Sequence, residues 1–117
     1  MGEINMDCIF CKIIAGEIPS KKVYETDDVL AFHDIHPQAP VHLILIPKTH
    51  IESIDKVDGS NSSALSKLLE AVPAAATAAG LTEGYRVITN AGKHGCQSVL
   101  HLHFHIVGGK QLSERIN

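Results

Sequence analysis

The sequence predicts an α+β fold of about five strands and two helices. Three observations carry that reading: short segments rich in β-branched and aromatic residues between turn residues, one long apolar stripe at helical spacing, and a length that suits one core. At 117 residues the chain fits a single domain burying about 60–70% of its unfolded surface. No apolar run is long enough to span a bilayer. Ten Lys plus Arg and a net charge of −3 leave none of the basic surplus that a nucleic acid polymer demands, although a single nucleotide needs none.

Residues 8–15 mix apolar and polar side chains and are closed by Gly16 and Pro19, which suits a short helix with a glycine stop. Residues 22–26 and 28–34 read as two strands meeting in a hairpin at Thr26-Asp27-Asp28. Pro37 and Pro40 interrupt the chain, and residues 42–46 form a nearly all-apolar central strand ended by Pro47. After a turn at residues 58–62, Leu65, Leu68, Leu69 and Val72 define one face of the long helix. Pro73 removes the bond to the Leu69 carbonyl and should kink this helix before its alanine run reaches Gly80. Residues 85–89 and 100–107 are the last strands, separated by the loop at 90–97. Residues 1–6 carry neither a basic stretch nor an apolar leader, so a cytoplasmic protein is expected.

Eight histidines exceed what packing and solubility require. Side chains alternate along a strand, so His101, His103 and His105 would share one face at a spacing of about 6.6 Å, with Leu102, Phe104 and Ile106 turned to the core. Such a face can be a plain polar surface, a metal site or a nucleophile with its partners. Cys8-x-x-Cys11 has the spacing of a structural zinc knuckle but supplies two of four ligands. A redox pair and two buried thiols are its rival readings. Cys96 is read as a loop thiol.

The run His101-Leu102-His103-Phe104-His105-Ile106-Val107 resembles the defining motif of the histidine triad (HIT) superfamily. Further segments are similar to the Hint branch in one register from about Asp7 to Gln111: Cys8-Ile9-Phe10-Cys11, Ala31-Phe32-His33-Asp34-Ile35, Pro37-Gln38-Ala39-Pro40, Ile46-Pro47-Lys48 and Gly109-Lys110. The resemblance implies one antiparallel sheet with a short N-terminal helix and one long helix, and a homodimer. It also implies that His103 attacks the α-phosphorus of a nucleotide, that His105 lies beside the phosphate oxygens, and that His42 joins the same cluster. Ser98 would lie near the leaving group, Gln97 and Asn90 near the phosphate. Asp34 would accept hydrogen bonds from the ribose, and Phe10, Ile13, Phe32 and Ile35 would wall the base. Cys8, Cys11, His50 and His101 would bind a structural zinc ion.

The function so implied is hydrolysis of purine nucleoside 5′-phosphoramidates, of the AMP-lysine or AMP-NH2 type, through a nucleotidyl-histidine that water resolves. A purine nucleotide of AMP or GMP type would be the small-molecule partner. Two rivals stand beside it: a nucleotide-binding or protein-interaction module with incidental hydrolysis, and a metalloenzyme in which the whole triad binds zinc. Pro73 and the tail at 112–117, which lacks the aromatic ending of some relatives, depart from the family pattern.

Overall fold

A computed structural model describes residues 7–116. The reading of residues 1–6 as free of a leader, and the final residue of the tail, lie outside the described residues.

The first helix, α1 (Ile9–Ile14), starts at Cys8, whose sulfur accepts the Cys11 N–H at 3.4 Å. It stops where Gly16 adopts φ +81° and returns its N–H to the Ile13 carbonyl. A left-handed residue there is what glycine permits at a helix end. Strands β1 (Lys22–Glu25) and β2 (Val29–His33) form the expected hairpin. Thr26 organises its turn by accepting the Asp28 and Val29 N–H groups on its hydroxyl, both at 3.1 Å.

Strand β3 (Val41–Pro47) is the sheet centre and is buried along nearly its whole length. The sequence reading ended this strand before Pro47; the structure keeps Pro47 as its last residue, opposite Val29. Helix α2 (Ser62–Ala78), strand β4 (Tyr85–Ile88) and strand β5 (Phe104–Gly108) complete the order β1-β2-β3-β5-β4, with every neighbouring pair antiparallel. A short 3-10 turn, Ile54–Lys56, leads toward α2.

Two elements differ from the sequence reading. Leu68 and Val72 of the expected α2 face are buried, but Leu69 is 54% exposed, and Ala71, Ala75 and Ala76 are buried instead. Small side chains let this helix approach the sheet closely, which turns its buried stripe toward the alanines. The helix also continues through Pro73 as one element. Pro73 and Leu69 both lie on the exposed side, so the carbonyl that loses its bond faces water.

The second difference is β5, which begins at Phe104 rather than residue 100. Ahead of it the backbone finds irregular partners: the Leu102 N–H bonds the Ile51 carbonyl at 2.6 Å, and the His103 carbonyl accepts the Thr89 hydroxyl at 2.8 Å. His101 and His103 therefore precede the strand, and only His105 lies within it. The alternation still separates the two sides. Leu102, Phe104 and Ile106 join Leu43, Leu45 and the buried α2 residues in one core, while Phe10, Cys11 and Ile13 of α1 pack on the other face with Leu30, Phe32, Ile44 and Ile46. The α1 face carries the site. Among the described residues no helix is long and apolar enough to cross a membrane.

Candidate functional site

Phe10 divides two clusters of histidines. Its ring meets Phe32 at 5.7 Å, His101 at 5.9 Å and His103 at 5.1 Å, each edge to face. On one side lie Cys8, Cys11, His50 and His101, whose ligand atoms all fall within 4.8 Å of one another. The Nδ1 atom of His101 is 3.3 Å from Cys8 Sγ, 3.6 Å from Cys11 Sγ and 3.1 Å from His50 Nδ1, and Cys11 Sγ is 3.3 Å from His50 Nδ1. Bonds of 2.0–2.3 Å to a tetrahedral ion imply ligand separations of roughly 3.3–3.8 Å. The four residues fit a zinc ion.

The hydrogen bond behind His101 agrees. His101 Nε2–H donates to the Pro47 carbonyl at 2.9 Å, which leaves Nδ1 with a free lone pair facing the thiols and His50. Burial, only partly opposed by that carbonyl, holds the His101 pKa down at about 4. Cys8 enters from the cap of α1, His50 from the turn after β3, and His101 from the segment before β5. Such a group needs the folded chain to exist.

Beyond Phe10 the second cluster is wired differently. The His103 Nδ1–H donates to the His101 carbonyl at 2.7 Å, so in the neutral ring Nε2 keeps its lone pair. The Gln38 N–H donates to His42 Nδ1 at 3.0 Å, so His42 carries its proton on Nε2 and gives it to His105 Nδ1 at 2.9 Å. His105 in turn must carry its proton on Nε2. The His103 and His105 rings meet edge to face at 5.0 Å.

All three rings are held neutral near pH 7. Burial depresses the pKa of His103 and of His42, while Asp34 pulls both the other way. Burial, reinforced by His103 and His42, takes His105 down to about 4. Asp34 Oδ2 is 3.4 Å from His42 Nε2, and Asp34 Oδ1 accepts the His36 N–H at 2.7 Å. The spacing of Asp34, His42 and His105 would also admit a metal ion. Their protons argue otherwise: the lone pair of His42 is spent on Gln38, and its Nε2 is a donor. This removes the reading in which the whole triad binds zinc, because His101 serves one cluster while His103 and His105 serve the other.

A cleft of ≈ 820 Å³ opens over β2 and β3. The expected Phe10, Ile13, Phe32, Ile35, Asp34 and His42 all line it. Ile35 is 86% exposed at its rim, a large apolar side chain left for something to cover. Asn90 lies elsewhere, in a smaller cavity with His105, and its side-chain amide donates to the Gly95 carbonyl at 2.7 Å.

Gln97 and Ser98 line neither cavity. Gln97 instead braces its loop, accepting the Gly92 N–H and donating to the Glu52 and Val99 carbonyls. Gly95 is required by the same loop, since a Cβ there would sit 2.4 Å from the Ala91 carbonyl oxygen. Ser98 is exposed.

Sequence reasoning missed Gln38 and Thr89, which act through a main-chain N–H and a hydroxyl on a main-chain carbonyl. The only available signal was the Pro37–Pro40 frame, which places Gln38 four residues ahead of His42. It also missed Ile9, Ile18 and Ile44, which extend the apolar lining.

The HIT domain family matches residues 15–112. The chain belongs to the HIT family, in its Hint-like branch. Among HIT relatives, the "14 kDa zinc-binding protein" of Brassica juncea is 48% identical over 109 residues, 92% of this chain and 96% of its own. "Adenylylsulfatase HINT1" of Arabidopsis thaliana is 47% identical over 107 residues, 90% of this chain and 73% of its own. In structure, a HIT family hydrolase from Clostridium thermocellum superposes with a TM-score of 0.92 at 42% identity, covering 97% of this chain and 99% of that one. The antiparallel five-stranded sheet with its short and long helices is thus the HIT arrangement.

Proposed function

We propose that this chain is a single-domain nucleotide hydrolase that cleaves purine nucleoside 5′-phosphoramidates through a nucleotidyl-histidine. The observation that carries the reading is the proton order around His103: its Nδ1–H is committed to the His101 carbonyl, so Nε2 of this buried ring, which lines neither cavity, keeps a nucleophilic lone pair at neutral pH. Relatives named hydrolase and adenylylsulfatase support hydrolysis as the activity class.

In the proposed first step the His103 Nε2 lone pair forms a bond to the α-phosphorus, the bond from phosphorus to the leaving nitrogen breaks, and that nitrogen departs as an amine with one added proton. In the second, water attacks the phosphorus, the bond to Nε2 breaks, and the nucleoside monophosphate leaves as the proton is returned. His105, with Nε2–H facing away from His42, is our candidate for donating a hydrogen bond that stabilises the phosphoryl oxygens, while solvent supplies the proton that the leaving nitrogen gains. Asp34 would hold the ribose through Oδ2, and Phe10, Ile13, Phe32 and Ile35 would hold the base. Asn90, Gln97 and Ser98 keep their proposed phosphate-side and leaving-group roles, which for Gln97 and Ser98 require the loop at 90–97 to close on the substrate.

Zinc at Cys8, Cys11, His50 and His101 would be structural, supplying a tetrahedral crosslink between α1 and the segment before β5. The name of the Brassica relative supports that choice of metal. We further propose a cytoplasmic location and a homodimer, the homodimer alone being supported by the exposed Leu69 and by edge strand β4 with Tyr85 and Val87 exposed. The test is AMP release from adenosine 5′-phosphoramidate by the parent and by His103→Asn. Release by the parent alone is expected; equal release by both would remove His103 as nucleophile, and none by either while AMP binds would leave a nucleotide-binding module.

A further inference from the structure

Helix α1 has six residues, too few to keep a helical conformation on its own. It is held by what its side chains touch. Phe10, Cys11 and Ile13 pack on Leu30, Phe32, Ile44 and Ile46 of the sheet. Cys8 and Cys11 meet His101 and His50 from 93 and 39 residues away in the chain. The same helix serves the main cleft: Ile9, Phe10 and Ile13 line it, and the Phe10 ring lies 5.1 Å from that of His103. A change in what fixes α1 is therefore a change in one wall of the cleft.

Two of the four ligating atoms that fit zinc are sulfurs able to bond to each other. Cys8 precedes the helix in extended backbone and Cys11 lies in its first turn, which sets the two sulfurs within 4.8 Å, and both are free thiols. Zinc takes them as thiolates, and the thiolate is also the form of cysteine that attacks an oxidant. Cys8 is 7% exposed and Cys11 is 0%, so an oxidant arriving from solvent meets Cys8 first. A disulfide between them closes within one helical turn. It ties α1 to nothing else.

We propose that Cys8 and Cys11 form a peroxide-sensitive switch, in which oxidation to a disulfide releases zinc, detaches α1 from His101 and loosens the nucleotide cleft. The inference rests on the zinc and nucleotide readings above. The Cys8 thiolate attacks one oxygen of hydrogen peroxide, the O–O bond breaks, and a sulfenic acid and hydroxide result. The Cys11 thiolate then attacks the Cys8 sulfur, the S–O bond breaks, and a second hydroxide departs. Two protons from solvent convert both hydroxides to water. The pair of sulfurs has lost two electrons and the peroxide has gained them. His50 and His101 remain as half of a tetrahedral set, too few to retain the ion.

The experiment uses the zinc-loaded chain carrying Cys96→Ser, which removes the exposed loop thiol as a competing target. Hydrogen peroxide should release one equivalent of zinc, read with a chromogenic chelator, while the peptide containing Cys8 and Cys11 loses two hydrogens by mass spectrometry. The Kd for AMP, measured by calorimetry, should rise about tenfold. A dithiol reductant with added zinc should restore it, and circular dichroism should show the sheet retained throughout. Zinc held with both thiols intact, oxidation that the reductant does not reverse, or zinc released with the AMP Kd unchanged each overturns the switch. Loss of the whole fold on oxidation overturns it as well, because the switch is confined to α1. A purified chain without zinc removes the zinc reading and the switch together. A zinc-loaded chain that binds no AMP before oxidation removes the nucleotide reading, and with it any control of the cleft.

Discussion

Two groups of histidines share the α1 face, separated by one phenylalanine ring, and the direction of their protons sets them apart. In the Cys8–Cys11–His50–His101 group, the Pro47 carbonyl takes the outer proton of His101 and leaves its lone pair turned inward, toward the thiols. In the His42–His103–His105 group, a main-chain carbonyl and a main-chain N–H fix the tautomers so that one ring offers a lone pair and another an N–H. Under the proposed function, the same residue type becomes a metal ligand or a reagent according to which ring nitrogen the backbone occupies. His101 belongs to both groups, giving Nδ1 to the first and its carbonyl to the second.

The comparison breaks most sharply at His103. His103→Asn should lower kcat by at least about 10³-fold while leaving AMP affinity and melting temperature nearly unchanged, because the nucleophile alone is removed. Turnover within tenfold of the parent would end the division of labour drawn above. At the other cluster Cys11→Ser should remove one equivalent of bound metal, measured by elemental analysis, and destabilise the fold by about 4 kcal/mol. That corresponds to a fall in Tm of roughly 15 °C, read by calorimetry. A variant that lost metal without any fall in Tm would show the crosslink to be dispensable.

A smaller effect is expected at Asp34. Asp34→Asn should raise KM for nucleotide substrates about tenfold, through weakened hydrogen bonds to the ribose, with little change in kcat or Tm. A fall in kcat alone would instead assign Asp34 to the histidine relay, where it stands 3.4 Å from His42.

The smallest effect is on pH dependence. His105 has a folded pKa of about 4 against an ordinary 6.5. Between those values the unfolded chain binds the extra proton, so this contribution to stability is complete above pH 6.5 and is lost as pH falls toward 4. Denaturant unfolding of the parent and His105→Asn should therefore give stabilities that converge as pH falls from 7 to 5. Parallel curves over that range would show that the burial of His105 has no such cost.

Much of this was legible in the chain. The glycine stop at Gly16, the Thr26 turn and the apolar run of β3 are local signals, and each element formed where its residues indicated. The alternation at residues 101–106 correctly assigned Leu102, Phe104 and Ile106 to the core. What the alternation could not give was the start of β5, because ahead of Phe104 a hydroxyl and a distant loop carbonyl satisfy the backbone instead. The face of α2 was misread for a related reason: periodicity marks the apolar positions, but closeness to the sheet selects alanines over Leu69.

The sequence by itself determined the α+β class, the order of its elements and the residue types available for chemistry, since these follow from local propensity, periodicity and composition. Tertiary structure decided which histidines stand together and which ring nitrogen each presents. Cys8 and His101 are 93 residues apart in the chain, and His42 and His105 are 63 apart. The ring nitrogens that matter are chosen by the Pro47 and His101 carbonyls and the Gln38 N–H, and main-chain groups leave no mark in side-chain identity. A sequence names the imidazoles; only the packed backbone decides where their protons sit.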